Sequence, residues 1–303
     1  MKIGIVGLGN IAQKAYLPVM MEMSDQVEWH LYTRDQEKLK QIGQRYRTAY
    51  LYPSVEALIQ SGIEAVFIHT ATHTHAALIR QCLEQGIHVY VDKPISEQLE
   101  EVEELMAFAK EKELLLVTGF NRRFAPMIQE LKKVPHKNML FIQKNKPASS
   151  GSVQFAIFDL FIHVVDTALY LLDEPVEEIS HRLYEEEGQL KNCVLQLKTA
   201  HTICVASMNY VSGANLETAE VQSTEGTYRV TNLTEYESHS FEKHAQKTFG
   251  DWETTLEKRG FSPLIRSFVQ AVQTGENPVS LASSLKSHQI CAEIVSSYEK
   301  GDK

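Results

Sequence analysis

The chain has 303 residues, 43% apolar and 23% charged, enough for about two hydrophobic cores and unlike a disordered or fibrous protein. Its 30 basic and 39 acidic residues leave a formal charge of −9, without the basic footprint of a nucleic-acid or membrane-surface binder. No uninterrupted apolar run approaches the roughly 18 residues of a membrane span, and the strand-like start leaves no room for a signal peptide, so a cytoplasmic location is expected.

Short apolar runs at Lys2–Val6, Val27–Tyr32, Thr48–Leu51, Ala65–His69, His88–Val91 and Leu114–Thr118 predict buried strands. Helix patterns with recognisable ends separate them. Asp35 is placed to cap Gln36–Tyr46, and Ser54 to cap the helix beginning at Val55. Ser96 is placed to cap Glu97–Glu113, whose charge run reads as a solvated face. Gly86 follows Ala76–Gln85, where a left-handed C-terminal cap is expected. This alternation predicts an α/β domain over residues 1–120, with a doubly wound parallel sheet and right-handed crossovers.

The pattern then changes to α+β over residues 121–303. Helices are expected across Pro126–Lys133 and Asp159–Leu172. Strands are expected at Cys193–Lys198, Thr202–Tyr210, Thr218–Ser223 and Thr227–Thr231, with turns at Ser212-Gly213 and Glu225-Gly226. These predict a mixed or antiparallel sheet with helices on one face. The stretch Lys144–Ser152 reads as a loop beside a site. The helical tail, 262–303, can pack on either domain. Phe120, Phe124, Phe155, Phe158 and Phe161 read as core or pocket wall.

Gly7-Leu8-Gly9-Asn10-Ile11-Ala12 follows the first strand and opens the first helix. In a G-x-G-x-x-A turn the first glycine allows the tight bend, and the second lets the backbone approach a pyrophosphate. The small third residue permits close packing of helix on strand. That is the pattern of a Rossmann dinucleotide-binding domain. The second strand ends in Thr33-Arg34 rather than a carboxylate, a pairing suited to a 2′-phosphate. NADP(H) is therefore favoured over NAD(H), with Asp35 still within reach of a ribose. The four cysteines, Cys82, Cys193, Cys204 and Cys291, form no C-x-x-C pair and suggest neither a zinc ribbon nor a disulfide framework. His69, His73 and His75 have no cysteine nearby, and no metal site is expected.

Five landmarks, in this order, resemble the Gfo/Idh/MocA oxidoreductases over nearly the whole chain, and most resemble the MviM-type members. They are G-L-G-N-I-A at Gly7–Ala12, T-A-T-H-T-H at Thr70–His75, D-K-P at Asp92–Pro94, G-F-N-R-R-F-A-P at Gly119–Pro126, and D-L-F-I-H at Asp159–His163. The resemblance implies an NAD(P)-dependent dehydrogenase or reductase acting on a sugar, polyol or related hydroxy or keto compound. It implies cofactor contacts from Gly7, Gly9, Asn10, Ile11, Thr33, Arg34, Thr70, His75, Lys93 and Asn121. It implies Lys93, Asp159 and His163 as the catalytic set: His163 as general acid/base, Asp159 as its partner in the site, and Lys93 stabilising the substrate oxygen. Asp92 stands where the family pattern has Glu, and Ala71 where it has Pro. A homodimer or larger homo-oligomer is expected, because Cys204, Val205, Ala206 and Ser207 are small or apolar on both faces of their strand. The alternative is a non-catalytic dinucleotide-binding sensor or regulator of the same fold.

Overall fold

A computed structural model of the chain describes residues 1–148, 151–241 and 243–301. The chain divides into two compact units, Met1–Gly119 with Phe261–Leu285, and Phe120–Gly260 with Lys286–Lys303.

The first unit is built on five parallel strands: β1 (Lys2–Val6), β2 (Glu28–Tyr32), β3 (Ala65–Ile68), β4 (His88–Val91) and β5 (Leu116–Thr118), in the order β2-β1-β3-β4-β5. Helices lie between them: α1 (Leu17–Glu22), α2 (Gln36–Tyr46), α3 (Val55–Gln60), α4 (His75–Glu84) and α5 (Leu99–Glu111). The strands are apolar almost throughout, as a sheet covered on both faces requires, and Ile3, Ile5, Val66, Phe67, Val89 and Val91 are fully buried. Because β2 and β3 flank β1, strand order reverses there, and a crevice opens at the carboxyl ends of β1 and β3.

Local signals in this half are mostly obeyed. Asp35 Oδ1 accepts from Lys38 N at 3.0 Å and starts α2, and Ser54 Oγ accepts from Ala57 N at 3.1 Å and starts α3. Gly86 takes φ +74° beyond α4. Two expectations are corrected. Thr48–Leu51 is not a strand: Leu51 makes a single bridge to Leu31, and Pro53, with no N–H to give, ends the pairing at once. Ser96 does not cap α5. Its Oγ accepts from Gln98 N at 3.0 Å and donates to the Glu101 carboxylate, and the helix starts later, at Leu99, with Gln98 as its flanking residue.

The second unit opens with α6 (Pro126–Lys132) and β6 (Lys137–Asn145), followed by α7 (Val153–Ala156) and α8 (Ile162–Leu171). Then come β7 (Glu178–Glu186), β8 (Gln189–Lys198), β9 (Ile203–Asn209), β10 (Leu216–Ser223), β11 (Gly226–Thr231), β12 (Glu235–His239), β13 (His244–Thr248) and the short α9 (Thr255–Lys258). The eight strands form one mixed sheet in the order β13-β12-β11-β10-β6-β9-β8-β7, in which β6 and β9 pair in parallel and the other neighbours are antiparallel. Helix α8 packs across β6 and β9, over an inner face that includes Leu140, Ile142, Cys204 and Ala206.

The loop expected at Lys144–Ser152 is corrected in part: Lys144 and Asn145 belong to β6, while Ser149 and Ser150 lie outside the described residues. Phe155 is half-exposed rather than part of a wall, whereas Phe120, Phe124, Phe158 and Phe161 are buried. No uninterrupted apolar run as long as a membrane span occurs, but one helix is apolar on average over such a length. Val153–Leu171 is one continuous helical stretch, long and apolar enough by composition to cross a membrane. Gln154, Asp159, His163 and Asp166 interrupt its apolar run, and 61% of it is buried within the protein, as befits a core helix.

The chain ends in α10 (Phe261–Thr274) and α11 (Leu281–Glu299). Helix α10 belongs to the first unit, where it packs on α1 and on the π-helical turn Ala12–Tyr16. Phe268 is fully buried there against Phe67 and Tyr90, with ring centroids 4.8 and 5.6 Å apart.

Candidate active site

In the first unit, the Gly7–Gly9 turn leaves β1 and enters a helix whose opening turn is π-helical, Ala12–Tyr16. Pro18 follows. It has no N–H to donate and its ring presses toward the carbonyl of Lys14, which accounts for the widened turn just before it. Gly7 sits at φ +92°, and a Cβ there would stand 2.8 Å from Thr70 Cγ2 and 2.9 Å from the His69 carbonyl carbon. A Cβ on Gly9 would meet nothing within 4 Å. The first glycine is thus required by the fold and the second faces open space, a cradle that a backbone-hugging pyrophosphate fits and a side chain would fill. Asn10 and Ile11, at the exposed start of the helix, flank that space.

A cavity of about 650 Å³ opens in this crevice, lined by Gly7, Gly9, Thr33, Arg34 and Thr70 among others. Lys38 also lines it and was missed by sequence reasoning. It lies one helical turn after Arg34, and the Asp35 cap orients that turn. The Asp35 carboxyl is held below its ordinary range, first by the Lys38 backbone N–H, and its second oxygen stands 3.6 Å from Lys38 Nζ. The one acid at this end of the cavity is already engaged, while Arg34 and Lys38 supply two cations.

His75 is placed differently from a cofactor contact. It is buried, with Nδ1 2.8 Å from Pro94 O and Nε2 3.1 Å from Thr70 O, and burial pushes its imidazole pKa down. The ring ties the Thr70–Thr74 loop to the loop after β4. That second loop carries Asp92 and Lys93, with a cis Lys93–Pro94 peptide. Asp92 accepts from Tyr16 Oη and faces His69 Nδ1 at 3.0 Å, while Tyr16 Oη lies 2.7 Å from Tyr90 Oη. Burial alone would raise the Asp92 carboxyl, but His69 and Tyr16 outweigh it and hold it below the ordinary carboxylate range. Sequence reasoning noted Asp92 only as a departure and missed Tyr16. Three of the elements around the glycine turn are therefore locked to the segment bearing Lys93.

In the second unit, Asp159 lies in a π-helical turn, Ile157–Phe161, and His163 in the first turn of α8. A π turn closes over one residue more than an α turn, so the four-residue interval comes close to a whole revolution and keeps the two side chains on one face. Both are half-buried. His163, Lys144 and Glu217 line a crevice of about 10 Å³. Around it the charges are ordered: Glu217 accepts from Arg122 Nε at 2.5 Å and Nη2 at 3.1 Å, and also from Lys144. Glu217 and Lys144 are directly opposed in the β10–β6 register. Although burial would raise it, the Arg122 and Lys144 charges bring the Glu217 carboxyl down to about 2. Asn121 is buried, its amide donating to Arg259 O at 2.8 Å and accepting from Arg122 Nη1 at 3.3 Å. Arg123 forks onto Asp166 of α8, which also accepts from Ser287 at 3.0 Å. These last ties brace the helix that carries Asp159 and His163.

Comparison with known proteins agrees with this architecture. Residues 1–120 match the family described as "Oxidoreductase family, NAD-binding Rossmann fold", and residues 126–241 match "YceM-like, C-terminal domain". YceM of Salmonella typhimurium is 34% identical over 282 residues, covering 92% of this chain and 91% of that one. A crystal structure of a dehydrogenase (MviM) from Clostridium difficile superposes with a TM-score of 0.93 at 32% identity, over 98% of this chain and 99% of that one. The myo-inositol 2-dehydrogenase of Thermotoga maritima is 29% identical over 193 residues, covering 59% of this chain and 57% of that one.

Proposed function

The chain belongs to the Gfo/Idh/MocA oxidoreductase family, and from that premise we propose an NADP(H)-preferring dehydrogenase or reductase that acts on a sugar, polyol or related small molecule. The observation that supports it best is the cavity at the strand-order reversal, where Arg34 and Lys38 stand at the end of β2 and Gly9 leaves room for a pyrophosphate. A 2′-phosphate accepts charge-assisted hydrogen bonds from two such cations, whereas a bare ribose offers them no anion.

When bound, the nicotinamide takes up or supplies the hydride. The chain's own residues then handle the proton and the oxygen. In the oxidative direction His163 accepts the hydroxyl proton, the C–H electron pair leaves as hydride, and the carbon–oxygen double bond forms. Lys93 stabilises charge on that oxygen, and Asp159 supports the imidazolium that His163 becomes. The substrate class follows the resemblance and is shared by the Thermotoga relative's name.

The test is spectroscopic. Purified protein with NADP⁺ or NAD⁺ is offered a panel of sugars, polyols and their acids and phosphates while reduced nicotinamide is followed by absorbance. Turnover is expected with at least one hydroxy compound, faster with NADP⁺. His163→Ala should lower it about a hundredfold to ten-thousandfold while leaving NADPH affinity unchanged. Nucleotide binding without turnover on any member of the panel would favour a sensor instead.

A further inference from the structure

We propose that the second unit binds an anionic group, a carboxylate or phosphate, on the substrate, through the Arg259 guanidinium beside Arg122 and Lys144. This rests on the functional reading above, since it names the class of compound taken at the site that includes His163.

The argument starts from charge. Arg122 and Lys144 are both buried, and together they surround one carboxylate, Glu217. The fork and the lysine use both Glu217 oxygens, so this acid has little left to offer a third cation. Arg259 is that third cation. It is half-buried, and among the described residues no carboxylate lies within ion-pair distance of its guanidinium. Burial, then the like charge of Arg122, pushes its pKa down, while Glu217 opposes the shift only in part. Arg259 likewise opposes the charge on Lys144. Three cations thus share one anion in a partly desolvated place, an arrangement that costs free energy unless something negative joins it.

The backbone holds Arg259 there. Gly260 takes φ +80°, and a Cβ on it would fall 2.1 Å from Asn121 O and 2.5 Å from Ala125 N, so the 259–260 backbone is seated directly on the 121–125 turn. Asn121 Nδ2 fastens the same strand of chain by donating to Arg259 O at 2.8 Å. Asn121 Oδ1 accepts from Arg122 Nη1 at 3.3 Å, so the same side chain ties the Arg259 backbone to the Arg122 guanidinium, and among the described residues no hydrogen bond is made by the Arg259 guanidinium itself. Lys144 carries the cluster to the crevice that His163 lines, which puts the excess positive charge next to the proposed acid/base. A planar guanidinium with a neighbouring ammonium suits carboxylate and phosphate oxygens and offers nothing comparable to a neutral polyol.

The experiment measures binding by calorimetry to the full chain saturated with NADP⁺, so that the first-unit cavity is filled. The probes are glucose, glucuronate and glucose 6-phosphate. Either anion is expected to bind about tenfold to a hundredfold more tightly than glucose, the range of a charge-assisted contact. Which of the two wins separates carboxylate from phosphate. Arg259→Gln should erase the preference without weakening glucose, and Arg259→Lys should keep part of it. Equal affinity for all three probes, or an anion preference untouched by Arg259→Gln, would overturn the proposal. Nicotinamide reduction followed in the same samples keeps the two readings apart. Turnover without an Arg259-dependent preference for the anionic sugars sinks this proposal and leaves the dehydrogenase standing. An Arg259-dependent anion preference without turnover does the reverse.

Discussion

Gly7 and Gly9 carry the same one-letter motif for different physical reasons, and substitution should separate them. Gly7→Ala forces an L side chain into φ +92° against Thr70 and His69, at a cost of about 1–3 kcal/mol. It should lower both stability and NADPH affinity. Gly9→Val points into open space, so stability should stay within about 0.5 kcal/mol of wild type while NADPH binding is lost. Chemical unfolding and fluorescence titration read the two effects independently, and a Gly9→Val protein that binds NADPH normally would refute the pyrophosphate assignment. Glu217 gives a pH test. Its carboxyl moves from 4.5 to about 2 on folding, so its contribution is fully present above pH 4.5 and disappears as pH falls toward 2. The size is about 3 kcal/mol, with the side chain only 16% exposed. Glu217→Gln should therefore be markedly less stable than wild type at pH 7, and the gap in urea midpoints should shrink at pH 3. A constant gap would mean that packing, not charge, is responsible.

At the scale of elements, the two π turns fall where the expected chemistry sits, one behind the glycine turn and one under Asp159. Neither is visible as a change in apolar spacing. The eight-stranded sheet shows why a partner is expected. Its inner face is buried under α8, yet the other face of the central strands presents Phe141, Val194 and Ile203, all exposed, next to Val205. A monomer would leave that apolar surface in water. Light scattering of the wild-type chain should give a homodimer or larger assembly, and Val205→Lys, which places a charge in the centre of the patch, should shift it toward monomer. A wild-type monomer at micromolar concentration would rule the interface out.

At the scale of the whole molecule, the chain returns to its beginning: Phe261–Leu285 is counted with Met1–Gly119. Phe268 fills a site against Phe67 and Tyr90, Thr118 Oγ1 lies 2.7 Å from Ser284 Oγ, and Asn277 Nδ2 donates to Leu116 O at 3.0 Å. The nucleotide-binding sheet is thus completed by residues more than a hundred positions away. Phe268→Ala should cost about 3–5 kcal/mol, the usual range for a buried phenylalanine. A chain ending at Gly260 should bind a hydrophobic dye and melt at lower temperature, whereas an unchanged melting point would show that the helix contributes little.

The first half was legible because each of its signals is local. A buried parallel strand is a short apolar run, a cap is one side chain three residues from its N–H, and a glycine turn is a fixed spacing; Lys2–Val6, Asp35 and Gly7–Gly9 needed nothing from elsewhere in the chain. Thr48–Leu51 had the right composition and failed because a strand also needs hydrogen-bonding partners along its length, which only the sheet supplies. In the second half, β6, β7, β12 and β13 went unread. Lys137 and Lys144 look like loop residues until Asp173 and Glu217 neutralise them, and the outer strands bury so little that alternation fades. The positions of Asp159 and His163 could be read from spacing and resemblance. The roles of Tyr16, Lys38, Glu217 and Arg259 could not, because each depends on a charge or hydroxyl that sequence separation hides and tertiary packing brings within a few ångströms.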